Sequence, residues 1–123
     1  MKALIVAACL AAVTGQTAGA EVCRQALALG LDVSGSVDAR EYRLQLGGLA
    51  QALGSPAMRA ALLEQIDAPV ELLIYEWSGP KDQLTLVPWT RITSELALDT
   101  VIAGLQTVTR REDATPGTAL GVA

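Results

Sequence analysis

The sequence predicts an α/β layered protein, and three observations carry that reading. Two apolar runs, Ala26–Val33 (ALALGLDV) and Val70–Trp77 (VELLIYEW), lack polar alternation over most of their length. Such runs fit strands covered on both faces, as in parallel sheets. Between and after them lie stretches with helical periodicity, so strands and helices alternate along the chain. The 123-residue length suits one domain.

The first element of the predicted domain is the strand at 26–33, weakened slightly by Gly30. Its Ala and Leu content leaves helix as the competing reading. Ser34-Gly35-Ser36 follows as a loop. Residues 38–53 read as an amphipathic helix, with Tyr42, Leu46, Leu49 and Leu53 at spacings of four, three and four. Ser36 or Asp38 can cap it, and Glu41 stands three residues after Asp38. Gly54-Ser55-Pro56 stops this helix, and a shorter one is predicted over 56–65 with Pro56 near its first position. Asp67-Ala68-Pro69 turns the chain into the second strand, 70–77, which is rich in β-formers.

Ser78 to Asp82 is a tight loop, and 83–87 is a third strand that Pro88 ends or marks as an edge. The short connection makes these two strands an antiparallel hairpin. Ser94 can cap a helix over 95–105, with Leu98, Val101, Ile102 and Leu105 on one face. Arg110-Arg111-Glu112-Asp113 reads as a solvated charge run, and Thr118 opens a further helix. Trp77 and Trp89 are expected to pack in the core or hairpin. Glu76 is read as a solvent-facing or hydrogen-bonded strand residue rather than a helper carboxylate.

The N-terminus reads as an export signal. Lys2 precedes the apolar run Ala3–Val13, which is followed by small residues ending Ala18-Gly19-Ala20. Eleven apolar residues fall short of the ~20 that span a bilayer, so no membrane span is expected. Cleavage after Ala20 leaves 103 residues, and the loss of Lys2 takes the net charge from −4 to −5. Cys9 lies too early, and Cys23 follows non-small residues, so a lipoprotein reading fails. The expected location is periplasmic or secreted, an oxidising setting in which Cys23 is free, intermolecular, or paired outside this chain.

Composition narrows the function. The chain has no His, which excludes Ser-His-Asp and Cys-His catalysis and His-ligated zinc. An acidic balance, 9 Lys+Arg against 13 Asp+Glu, argues against gripping nucleic-acid phosphates. No G-x-S-x-G elbow and no phosphate-binding Gly-Lys loop is present. The chemistry-bearing stretch is Asp32-Val33-Ser34-Gly35-Ser36, at the carboxyl end of the first strand, where open α/β sheets bind ligands. One carboxylate and two hydroxyls in alternation are hard oxygen donors, and Mg²⁺ needs only a few such protein ligands. The plain alternative is an Asp/Ser-rich turn whose hydroxyls cap the next helix.

This motif resembles the metal-ion-dependent adhesion site of von Willebrand factor type A domains. Asp32, Ser34 and Ser36 match its first segment, and Gly117-Thr118 stands where that family places a Gly-Thr step. The stretches LDVSGSVD, EWSGP, VPWT and GTALG resemble more closely a bacterial branch, the domain-of-unknown-function family 1194. The resemblance implies a doubly wound, mostly parallel, Rossmann-like sheet of order 3-2-1-4-5-6. It makes residues 21–123 the N-terminal part of such a domain, truncated after the third strand and third helix. The family's completing Asp, on a fourth strand, would then lie beyond this chain.

The resemblance further implies a divalent cation, Mg²⁺ or Mn²⁺, held by Asp32, Ser34, Ser36 and Thr118. A protein partner's carboxylate would complete the shell, with Thr118 moving in or out as a ligand. The expected function is an exported binding module rather than an enzyme. A structural domain with a vestigial or incomplete site is the alternative. A metal-dependent hydrolase stands behind both, because an Asp nucleophile in D-x-D would need a second carboxylate where Ser34 stands.

Overall fold

A computed structural model describes residues 22–112 and Gly117. The segment read as an export signal therefore lies outside the described residues. The described chain is a small α/β unit with a three-stranded mixed sheet and three helices. Its elements run β1 (Gln25–Asp32), α1 (Ala39–Gly54), α2 (Pro56–Leu63), β2 (Val70–Trp77), β3 (Gln83–Ile92) and α3 (Glu95–Thr107). None of the described helices is long and apolar enough to cross a membrane.

The sheet order is β1-β2-β3, with β1 parallel and β3 antiparallel to the central β2. In the parallel pair Gly30 lies opposite Tyr75 and Asp32 opposite Trp77. Period two therefore assigns Leu72, Ile74 and Glu76 to one face of β2 and Leu73, Tyr75 and Trp77 to the other. Leu72 and Ile74 are fully buried, and they join Tyr42, Leu46, Ala50 and Leu53 of α1 and Leu98, Val101 and Leu105 of α3 in one core. Burying a side chain of this size contributes about 1.5–3 kcal/mol, so this shared cluster is what holds helices to sheet.

β1 departs from the expectation of burial on both faces. Leu27, Leu29 and Leu31 pack on the core, whereas Ala26, Ala28 and Gly30 are exposed. The reason is position: β1 is an edge of the described sheet, and the described helices gather on its leucine face. Gly30 leaves room there for β2 side chains, because a Cβ would lie 2.9 Å from the Tyr75 ring carbon Cζ and 3.2 Å from Trp77 Cδ1, so the Tyr75 ring would have to shift.

β3 runs five residues beyond the predicted end and passes through Pro88. The antiparallel register shifts between Leu72 and Ile74 and again between Ile74 and Tyr75, each time with an extra residue on β3. Proline lacks an N–H for the ladder, and an edge strand with bulges accommodates it. Trp77 is buried as expected, but Trp89 is half exposed on this irregular edge.

The helix ends follow local chemistry. Asp38, not Ser36, caps α1: its Oδ1 accepts from the backbone N–H of Arg40 and Glu41, and Glu41 Oε2 accepts from Asp38 N–H. That reciprocal capping box satisfies donors a helix start leaves unpaired. Ser55 caps α2 and Ser94 caps α3 through their side-chain oxygens. Ala50 joins Tyr42, Leu46 and Leu53 on the buried face of α1, while Leu49 is only half-buried.

Candidate functional site

The D-x-S-x-S stretch forms a turn between the end of β1 and the start of α1. Strand pairing continues one residue past β1, since Val33 N–H donates to Trp77 O at 3.0 Å. The chain then turns: Asp32 Oδ1 accepts from Ser34 N–H at 2.7 Å, and Val37 N–H donates to Ser34 O at 2.9 Å. An Asp side chain bonding the amide two residues on is the Asx-turn geometry that makes Asp a good turn residue. Gln45, from the second turn of α1, donates to Asp32 O at 3.2 Å and ties helix to strand end.

The turn brings three predicted oxygen donors together. The Ser34 and Ser36 hydroxyl oxygens are 3.4 Å apart, and the Asp32 carboxylate is bound to the Ser34 amide. Ser34 is fully buried, whereas Ser36 is exposed, so the group opens to solvent on one side. Oxygens at adjacent corners of an octahedral Mg²⁺ shell lie about 3 Å apart, given bonds of about 2.0–2.1 Å. The serine spacing is somewhat longer than that, and carboxylate and hydroxyl oxygens are the donor types a hard cation takes. Thr118, the fourth predicted ligand, lies outside the described residues. Among the described residues there is no group of three or more His, Cys, Asp or Glu that could hold a metal. The candidate set has one carboxylate and depends on hydroxyls.

Next to this turn lies a buried polar cluster that the sequence reading did not assemble. Glu76 is 1% exposed on the inner face of β2 and accepts from the Tyr42 hydroxyl at 2.8 Å. Arg111 donates through Nε to Glu76 Oε1 and through Nη2 to Asp82 Oδ1 at 2.7 Å. Asp82 in turn accepts from Ser78 Oγ at 2.6 Å, and Ser78 N–H donates to Asp82 O. Ser78 is fully buried, directly after Trp77, the residue opposite Asp32. Burial raises the Tyr42 phenol above its ordinary range, and the hydrogen bond to Glu76 and its negative charge push the same way. The positive charges of Arg111 and Arg110 offset part of that rise.

One expectation is overturned and one is borne out in its second form. Arg111 is not part of a solvated charge run, because two carboxylates hold it against the sheet. Glu76 is a hydrogen-bonded strand residue, as one of the two expectations had it, and it is buried. The signal for its burial was present: Glu76 continues the inward series Leu72, Ile74. No pattern marks Arg111 among its charged neighbours, since its partners lie 35 and 29 residues away. Cys23 is free and exposed.

A family model described as "Protein of unknown function (DUF1194)" matches residues 22–123. No curated protein and no solved structure matches the chain.

Proposed function

We propose, for a chain that belongs to the DUF1194 family, that it is an exported binding module whose Asp32–Ser36 turn takes up Mg²⁺ or Mn²⁺ and presents it to an acidic group of a protein partner. One observation carries this reading: the turn gathers a carboxylate and two hydroxyls at the carboxyl end of β1, with the hydroxyl oxygens 3.4 Å apart. Asp32 supplies the negative charge. Ser34 supplies a buried, preorganised oxygen and Ser36 one that faces solvent. Asp38 is spent on capping α1, so it does not compete for the ion. The von Willebrand type A resemblance supports Thr118 as a further ligand and a doubly wound sheet as the fold. It also supports a partner carboxylate as the group that fills the shell.

The reading is one of binding rather than bond breaking. The position that would carry a second carboxylate in an Asp-nucleophile phosphatase holds Ser34. When bound, the ion supplies positive charge at the solvent-open side of the turn. The chain's own part is to orient oxygens and to hold Ser34 dry behind Ser36.

The test is calorimetric titration of the protein with Mg²⁺ and Mn²⁺, beside thermal unfolding with and without each ion. Saturable uptake and a raised Tm are expected, both abolished in Asp32→Ala. No uptake by the wild-type protein overturns the reading and leaves a structural domain with a vestigial site. Turnover of phosphate esters that Asp32→Ala abolishes would make it a hydrolase instead. Export is tested separately: mass spectrometry of the extracytoplasmic protein should find Glu21 at its N-terminus, and retention of residues 1–20 would refute it.

A further inference from the structure

Behind the Asp32–Ser36 turn, a single guanidinium ties together parts of the chain that are far apart in sequence. Glu76 precedes Trp77, whose carbonyl holds Val33 N–H at the root of the turn. Asp82 closes the β2–β3 loop on Ser78 through both backbone and side chain. Tyr42 comes from α1, whose Asp38 cap and Gln45 bracket the turn on its other side. Arg111 leaves α3 and reaches the Glu76 and Asp82 carboxylates with two different nitrogens. Arginine's planar fork suits this double grip, which a lysine ammonium does not reproduce.

The energetics make Arg111 consequential for the turn. Glu76 has almost no contact with water. Removing the partner of a buried charge is strongly destabilising locally, because the charge is left uncompensated. Relief would come by admitting water or by moving the end of β2. That end pairs with Asp32 and Val33, so such a movement reaches the turn through backbone hydrogen bonds.

We propose that Arg111 is a positioning residue for the Asp32–Ser36 turn. By pinning Glu76 and Asp82, it holds the ends of β1 and β2 in register and keeps the three candidate ligand oxygens in one arrangement. The consequence for cation affinity rests on the binding reading above; the consequence for the turn's order does not.

The experiment compares wild-type protein with Arg111→Lys and with the double variant Glu76→Gln/Arg111→Met, which removes the guanidinium without leaving Glu76 charged and leaves Asp82 its Ser78 hydrogen bond. Two readouts are taken: amide hydrogen exchange at Val33 and Ser34 without metal, and Mg²⁺ affinity by calorimetry. Arg59→Ala is the control, because it breaks the ion pairs to Glu95 and Asp99 that join α2 to α3. In the double variant, exchange at Val33 and Ser34 should rise about tenfold, while amides in the middle of α3 stay protected. Mg²⁺ affinity should fall roughly 10- to 100-fold, the range typical of residues that orient metal ligands. Arg111→Lys should fall between wild type and the double variant, and Arg59→Ala should change neither readout. Unchanged exchange at the turn, or faster exchange with unchanged Mg²⁺ affinity, overturns the proposal. Faster exchange in a protein whose wild type takes up no Mg²⁺ keeps the positioning role and overturns the cation reading instead.

Discussion

The Tyr42 hydroxyl donates a 2.8 Å hydrogen bond to the buried carboxylate of Glu76, joining the first turns of α1 to the end of β2. Both side chains are almost wholly removed from water, at 2% and 1% exposure. A hydrogen bond to a buried charge is stronger than a neutral one, and losing one partner exposes the other to the full desolvation penalty.

Tyr42→Phe keeps the ring and deletes that donor. We predict a loss of about 1–3 kcal/mol in unfolding free energy, read from urea titrations at neutral pH. A loss below a few tenths of a kcal/mol would show that the phenol does not support Glu76.

The same contact predicts an alkaline limit. Burial and Glu76 raise the Tyr42 phenol above its ordinary value, so the folded state holds this proton more tightly than the unfolded chain does. Below about pH 10 both states keep the proton and the contribution is complete. Above that pH the unfolded chain ionises first, so stability falls as pH rises, by up to about 1.4 kcal/mol per unit from this group. Urea midpoints between about pH 9 and 11 should fall more steeply for wild type than for Tyr42→Phe. Parallel curves would refute the assignment.

The two serines of the turn should separate stability from binding. Ser36 is exposed, so Ser36→Ala should shift stability by less than about 0.5 kcal/mol while weakening the Mg²⁺-induced rise in Tm. Ser34 is fully buried with its hydroxyl against Ser36, so Ser34→Ala should cost about 1 kcal/mol and weaken the ion response as well. Thermal scans of both variants with and without Mg²⁺ check this, and an unaltered ion response in Ser36→Ala would remove it from the ligand set.

Gly30 is predicted to accept a methyl group only with movement of Tyr75. An added Cβ would approach Tyr75 Cζ and Oη to 2.9 Å, so the Tyr75 ring must move away from β1. Gly30→Ala should cost about 1–3 kcal/mol in denaturant unfolding, the usual range for overpacking. A double-mutant cycle with Tyr75→Ala should show a favourable coupling, and strict additivity would place the cost elsewhere.

Much of the fold was legible because its signals are local. β2 occupies the predicted residues 70–77, and Asp38 with Glu41, Pro56 and Ser94 mark the helix starts through local chemistry. The candidate turn was legible for the same reason, since an Asp that bonds the amide two residues ahead needs nothing beyond the turn itself. Of the two readings of Pro88, a strand end or an edge mark, the edge reading holds, since β3 is an edge of the described sheet. Two bulges on an edge strand let β3 continue to Ile92.

The sequence by itself determined where helices begin, which strands are apolar, and that three hard oxygen donors stand in one turn. Capping, side-chain periodicity and turn chemistry act over a few residues, so their outcome is written in the order of the letters. Only the tertiary structure decided that Glu76 is buried against Tyr42, that Arg111 leaves solvent to pair with Glu76 and Asp82, and that β1 shows one face to water. Those outcomes depend on which distant segments the core brings together. A buried carboxylate recruits whatever cation and donor the packing places beside it, and neither the apolar strand nor the charged run names its partner.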